Sequence, residues 1–339
     1  MNITELVETA EAMVAEGKGI LAMDESTGTI QKRFDKVGVE CTEANRRDYR
    51  NMLLSTPGLG EHISGAIMYD ETLRQSNADG VALVQVARDA GVIPGIKVDT
   101  GAKLLAGHDG EKITEGLDGL RERLHEYVNL GARFAKWRAV ITIGESMPSK
   151  ACIDGNAHAL ARYAALCQEA GIVPIVEPEV LMNGAHGLDE CYEVTEVTLR
   201  SLFEQLYQQN VLFEGTVLKA SMVISGSECN ERAAVEDVAE ATVQCLLNAV
   251  PASIAGVVFL SGGQSEVEAT QHLDTMNRLT ESLPWPLSFS YGRALQEGAL
   301  KEWAADPAKN VASAQRILSH RARMNGLAAM GRYETRMEE

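Results

Sequence analysis

Aromatic residues are scarce in this chain, 5% of 339 residues, while apolar residues reach 45%. A large core must therefore come from Val, Ile, Leu and Ala. Positive charge is also in short supply: the formal net charge is −17, and no run of Lys or Arg offers a footprint for nucleic acid or a membrane surface. Both partners are excluded on that ground, and any bound anion must be met by cations placed one by one. The six cysteines (Cys41, Cys152, Cys167, Cys191, Cys229 and Cys245) form no C-x-x-C pair. They read as idle thiols in a reducing compartment. No apolar run approaches the roughly 20 residues of a membrane span. Met1 to Glu5 do not begin a signal peptide, so a soluble cytoplasmic protein is expected. The histidines show no metal-ligand spacing and avoid strand ends; His186, in the loop after the fifth strand, is the one to watch. No dinucleotide-binding glycine signature follows a strand. Neither a metal nor a nicotinamide cofactor is expected.

What the chain does have is a lysine where a lysine is costly. Within Val211-Leu212-Phe213-Glu214-Gly215-Thr216-Val217-Leu218-Lys219-Ala220-Ser221, Phe213 to Leu218 reads as a short buried strand, with Lys219 at its carboxyl end. Burying an ammonium costs hydration. A core ion pair or a stem reaching to solvent would accommodate it. Alternatively, an uncharged amine could attack a carbonyl. That requires the pKa to fall from about 10.4 to near 7, about 4 kcal/mol, through burial or nearby cations.

Strand patterns recur eight times. They are Gly19–Met23, Ile63–Tyr69, Ile93–Val98, Arg133–Val140, Ile172–Glu177, the Lys219 strand, Ala255–Leu260 and Leu287–Ser290. Helical patterns lie between them: Leu117–Leu130, Asn156–Ala170, Leu188–Gln209 and Val235–Leu247. A first helix is expected after a Thr4 cap, with Leu6, Val7, Ala10, Met13 and Val14 on one face and a stop at Gly17. Another helical stretch starts at Thr42, and more helix runs from Ala294 to Ala328. This rhythm predicts a single (β/α)8 TIM barrel over residues 1–339, with additional helices at the N-terminus, after strand one and at the C-terminus.

In this architecture chemistry gathers at the carboxyl ends of the strands. Those ends carry Asp24, Lys97, Lys136, Arg138, Glu177, Glu179, Lys219, Ser261 and Arg293. Structural pairing explains any one of them but not nine converging on one rim. Phe134, Lys136 and Arg138 share a strand face; turned inward, they bring two cations toward Lys219. Glu177 and Asp24 are candidate proton carriers, although Glu177 alone could simply balance Lys136 or Lys219. Ser261-Gly262-Gly263 is a turn whose bare amides can approach an anion, with Arg293 nearby at a helix start. Ser26, Thr29, Arg33 and Lys97 suggest a second anion site. Two phosphate sites flanking a carbonyl-reactive lysine suit a sugar bisphosphate.

These segments resemble class I fructose-bisphosphate aldolases from about Gly17 to Tyr333. The Val211–Ser221 stretch resembles the family's Schiff-base signature. Support comes from Gly17–Gly28, Phe134–Arg138, Gly171–Glu179, Phe259–Ser265 and Phe289–Leu295. The resemblance implies retro-aldol cleavage of fructose 1,6-bisphosphate to dihydroxyacetone phosphate and glyceraldehyde 3-phosphate. It implies an imine on Lys219, with Glu177 and Lys136 assisting dehydration and proton transfer. Asp24 would take the hydroxyl proton and Glu179 would hold the charge network. Ser261, Gly262, Gly263, Ser290 and Arg293 would bind one phosphate. Ser26, Thr29, Arg33 and Lys97 would serve the other end, with Arg138 nearby. It implies no metal, no cofactor and a homotetramer. Many members have Leu and Pro where Val217 and Ala220 stand, and animal members end in a tyrosine that this chain lacks. A longer substrate such as sedoheptulose 1,7-bisphosphate is not separated from the first by sequence, and a binding scaffold on the same barrel would need a broken site.

Overall fold

The computed structural model describes residues 2–279 and 282–338. Its strands are β1 (Gly19–Met23), β2 (Ile63–Met68), β3 (Ile93–Lys97), β4 (Gly101–Leu104), β5 (Lys112–Glu115), β6 (Phe134–Ile141), β7 (Val173–Val180), β8 (Val217–Ala220), β9 (Gly256–Phe259) and β10 (Leu287–Tyr291). Eight of them pair in parallel, β1-β2-β3-β6-β7-β8-β9-β10, and β10 closes on β1. The expected barrel is present. The antiparallel hairpin β4–β5 was not expected: its four-residue strands are largely exposed and carry no apolar alternation to announce them.

The helices are α1 (Ile3–Met13), α2 (Thr27–Val37), α3 (Glu43–Leu54), α4 (Asp70–Arg74), α5 (Leu83–Asp89), α6 (Leu120–Leu130), α7 (Lys150–Glu169), α8 (Leu188–Gln208), α9 (Val235–Ala249), α10 (Glu266–Leu279), α11 (Arg293–Ala305) and α12 (Val311–Ala328). Several boundaries correct the sequence reading. Asn2, not Thr4, caps α1, its side chain accepting from the Glu5 amide. α7 begins six residues before Asn156, because Ser149 caps it through the Cys152 amide. The helix expected from Ala294 to Ala328 is two helices with a break between them. Phe213–Gly215 is a 3-10 turn, so the Lys219 strand starts only at Val217. The reason is packing: a Cβ on Gly215 would lie 2.5 Å from Leu6 Cδ2. The chain turns there to let α1 close the amino-terminal end of the barrel.

The barrel interior holds Ile20, Ala22, Ile67, Phe134, Val173, Ile175, Val217 and Val258, packed against Leu6, Ala10, Met13 and Val14 of α1. Phe134 is the one aromatic in that layer. It fits because β3 offers no side chain at Gly95, where a Cβ would stand 2.2 Å from the Phe134 ring. A large ring beside a bare strand fills the interior without a void. The amino-terminal half of the barrel is thus filled mainly with hydrocarbon, its buried Ser64 and Ser288 hydroxyls donating to backbone carbonyls, and the charged side chains gather at the other end.

Candidate active site

β6 delivers Lys136 and Arg138 two residues apart, and β7 delivers Glu177 and Glu179 in the same way. Period-two alternation sends each pair toward one face. Register puts Lys97 beside Lys136 and Arg138 beside Glu177. β1 ends one residue before Asp24, and β8 carries Lys219 at its third position.

At the centre is a buried cluster of two cations and two carboxylates. Lys136 Nζ lies 2.7 Å from Asp24 Oδ2 and 3.4 Å from Glu177 Oε2. Lys219 Nζ lies 3.3 Å from Glu177 Oε1. Glu177 therefore bridges the two lysines, and its Oε2 makes no hydrogen bond among the described residues. Burial raises the Asp24 pKa, but Lys136 and Lys219 outweigh it and hold the group at about 2. Burial works against the charge of Lys136, yet Asp24 and Glu177 raise its pKa above the ordinary lysine value. Both groups are thus charged at neutral pH.

Asp24 accordingly has a pH signature. Its pKa is lower in the folded chain than the ordinary 3.8. The contribution to stability is complete above pH 3.8 and disappears as pH falls toward 2. The shift is worth about 2 kcal/mol, roughly half of it gone by pH 3. Denaturant titrations of wild type and Asp24→Asn should show their stability difference constant from pH 6 to 4.5 and shrinking below pH 4. A difference that grows on acidification would contradict this assignment.

Further out, Arg138 pairs with Glu179 and Arg33 with Glu25. Lys97 Nζ lies 2.6 Å from Asp99 Oδ1, and Asp99 also accepts from the Gly101 and Arg138 amides. The turn after β1 is fixed from behind. Gln296 Nε2 donates to Ala22 O at 2.5 Å, and the buried Arg50 donates to Glu25 O at 2.7 Å.

These groups line a cavity of about 400 Å³ at the carboxyl end of the barrel. Every residue proposed from sequence lines it except Gly263. That glycine lies behind the rim, where a Cβ would meet Met182 Cε at 2.9 Å. The lining adds Lys32 and Lys36, one turn apart on α2, and Glu25. Eight cations face four carboxylates there, in a chain whose overall charge is −17. Among the described residues Lys32, Lys36 and Arg293 make no ion pair. Gly262 and Gly263 both have positive φ, 58° and 122°. Consecutive amides in such a conformation can form a concavity suited to an anion. The buried Ser290 hydroxyl has no hydrogen-bond partner among the described residues, as suits a group awaiting a ligand. On the opposite side Ser26 Oγ and Thr29 Oγ1 sit 3.1 Å apart at the start of α2.

Sequence reasoning missed Asp99, Glu25, Lys32 and Lys36. Asp99 stands two residues after Lys97, and Lys32 and Lys36 have helical i,i+4 spacing, but α2 was not recognised as a helix. His186 is buried with both ring nitrogens unpartnered among the described residues, and it does not line the cavity.

A closed parallel barrel with a cation-rich cavity at its carboxyl end is the architecture of a barrel enzyme acting on a phosphorylated substrate. Similarity to known proteins narrows this. A family profile, fructose-bisphosphate aldolase class-I, matches residues 5–339. A probable fructose-bisphosphate aldolase class 1 of Xanthomonas campestris pv. campestris is 64% identical over 98% of this chain and 100% of its own length. The cytoplasmic isozyme of fructose-bisphosphate aldolase from Spinacia oleracea is 51% identical, covering 97% and 92%. The solved fructose-bisphosphate aldolase of Plasmodium falciparum superposes with a TM-score of 0.96 at 48% identity, over 98% of this chain and 95% of that one. The chain belongs to the class I fructose-bisphosphate aldolase family. It is a carbon–carbon lyase of the metal-independent class, cleaving fructose 1,6-bisphosphate reversibly to dihydroxyacetone phosphate and glyceraldehyde 3-phosphate.

Proposed function

We propose that Lys219 is the amine that condenses with the ketose carbonyl. The observation that carries this reading is the 3.3 Å separation of Lys219 Nζ and Glu177 Oε1 inside the barrel mouth. Glu177 takes a proton from Lys219, and the free amine adds to C2 of the substrate to give a carbinolamine. Glu177 returns the proton to the C2 hydroxyl, water departs and the protonated imine forms. Asp24, ionised beside Lys136, takes the proton of the C4 hydroxyl. The C3–C4 bond breaks, its electron pair moves into the imine as an enamine, and C4 leaves as the aldehyde. Protonation of the enamine and hydrolysis of the imine by water release dihydroxyacetone phosphate. Lys136 keeps Asp24 and Glu177 from repelling each other, and Glu179 anchors Arg138.

Ser261, Gly262, Gly263, Ser290 and Arg293 hold one phosphate; Gly263 acts through the turn rather than from the cavity wall. Ser26, Thr29, Arg33 and Lys97 meet the other, with Lys32 and Lys36 extending that cationic edge. We further propose one catalytic domain over residues 1–339, assembly as a homotetramer and a cytoplasmic location. The name of the spinach relative supports the location.

The direct test is chemical trapping. Borohydride added with fructose 1,6-bisphosphate should leave a stable secondary amine on Lys219, identified by peptide mass, and activity should survive EDTA. Loss of activity in chelator with no adduct would overturn the assignment.

A further inference from the structure

A buried polar chain backs the phosphate turn and takes no part in the steps above. His272 lies on α10 and is 2% exposed, and Gln264, 7% exposed, stands directly after the Ser261–Gly263 turn. The His272 Nδ1 to Gln264 Oε1 distance is 2.6 Å. Gln264 Nε2 in turn donates to Met222 Sδ at 3.5 Å, and the Gln264 amide donates to Ser261 O at 2.8 Å, closing the turn. A thioether can only accept. The Gln264 amide nitrogen must therefore face Met222, and its oxygen must face His272. The ring consequently carries its proton on Nδ1. Burial lowers the His272 pKa to about 4, so the ring is neutral at physiological pH.

Gly262 and Gly263 have no side chains with which to hold the turn, so its position depends on the anchoring of Gln264, the next residue along. Met222 lies just past β8, two residues after Ala220. The His272–Gln264–Met222 contacts thus connect α10, the phosphate turn and the segment that continues the Lys219 strand. We propose that His272 is a positioning residue for the phosphate turn, fixing through Gln264 the spacing between Ser261–Gly263 and Lys219. This role rests on the reading of Ser261–Gly263 and Arg293 as a phosphate site.

Two substitutions separate donation from packing. His272→Phe keeps a planar ring and lacks the donor, leaving Gln264 Oε1 buried and unpaired. His272→Asn loses the ring but places an amide nitrogen where Nδ1 lies. Inorganic phosphate titrated calorimetrically and the kinetics of fructose 1,6-bisphosphate are the readouts. His272→Phe should weaken phosphate binding and raise KM about tenfold, the loss of one buried hydrogen bond. Its kcat should stay within about twofold, because uniform binding is what is lost. His272→Asn should remain within about threefold of wild type in KM. Gln264→Met should reproduce the His272→Phe loss, and the double variant should be no worse than either single change. Wild-type KM in His272→Phe, or an equal loss in His272→Asn, overturns the relay and leaves His272 a packing residue. Should His272→Phe fail to fold by circular dichroism, Gln264→Met decides: a wild-type KM there overturns the relay. Arg293→Ala separates this proposal from the site it depends on. Unchanged phosphate affinity in Arg293→Ala means the phosphate site is misplaced. Weakened affinity there, with none in His272→Phe, means only the relay fails.

Discussion

Lys219→Met should abolish turnover by at least about 10⁴-fold and leave the barrel folded. The expected split between chemistry and stability comes from the surroundings of the side chain. Lys219 is buried with Glu177 as its ion-pair partner, and methionine occupies nearly the same volume without a charge. Removing one member of a buried ion pair ordinarily costs 3–5 kcal/mol because its partner is stranded. Here the partner is not stranded: Glu177 retains Lys136 at 3.4 Å. The stability loss should therefore stay within about 2 kcal/mol. Thermal melting and denaturant titration would measure it alongside steady-state kinetics, and borohydride should no longer trap an adduct. Residual turnover above about 1% would remove Lys219 from the covalent role.

Lys136→Met should fail on both counts. Lys136 Nζ reaches Asp24 at 2.7 Å and Glu177 at 3.4 Å. Without it, Asp24 keeps no ion-pair partner among the described residues, and Glu177 keeps only Lys219. The expected cost is about 3–5 kcal/mol at neutral pH, larger than that of Lys219→Met. Asp24 loses the chief group holding its pKa at about 2, so the pKa should rise. At low pH Asp24 can then protonate, and the stability gap from wild type should narrow as pH falls through the acid range. Turnover should drop at least about 10³-fold. Equal stability losses at pH 5 and pH 8 in the two lysine variants would show that Lys136 does not mediate between the carboxylates.

The expected difference between the two variants follows from the unlike pairing of the two lysines. On the proposed mechanism, Lys219 is available for covalent chemistry because Lys136 neutralises the site. A single lysine between two carboxylates would be held by both of them. With Lys136 committed to Asp24, Lys219 shares only one oxygen of Glu177.

Much of this was legible in the residues. The barrel could be read from strand patterns recurring with helices between them, because a buried parallel strand must be short, apolar and β-branched. The rim residues could be read from charges standing at the ends of such strands, where charge has no packing reason to be. Lys97, Lys136, Arg138, Glu177, Glu179 and Lys219 are all of that kind. Asp99 and Glu25 escaped notice because each lies in an irregular segment, where no periodicity marks one acidic residue above another. Lys32 and Lys36 escaped because α2 is mostly polar, and its apolar contribution to the core is only Ile30 and Phe34.

Local chemistry in the chain thus determined the architecture, the place of Lys219 at a strand end and most of the charged groups around it. Tertiary structure alone decided who pairs with whom. Asp24 and Lys136 lie 112 positions apart in sequence, and only closure of the barrel sets them 2.7 Å apart. The same closure decided that Glu177 faces two lysines, that His272 stands behind the Ser261–Gly263 turn and that the Lys219 strand begins at Val217. Coulomb and hydrogen-bond energies fall away over a few ångströms, whereas sequence pattern reports only which face of an element is apolar. The groups that can act on one another are therefore chosen by the fold.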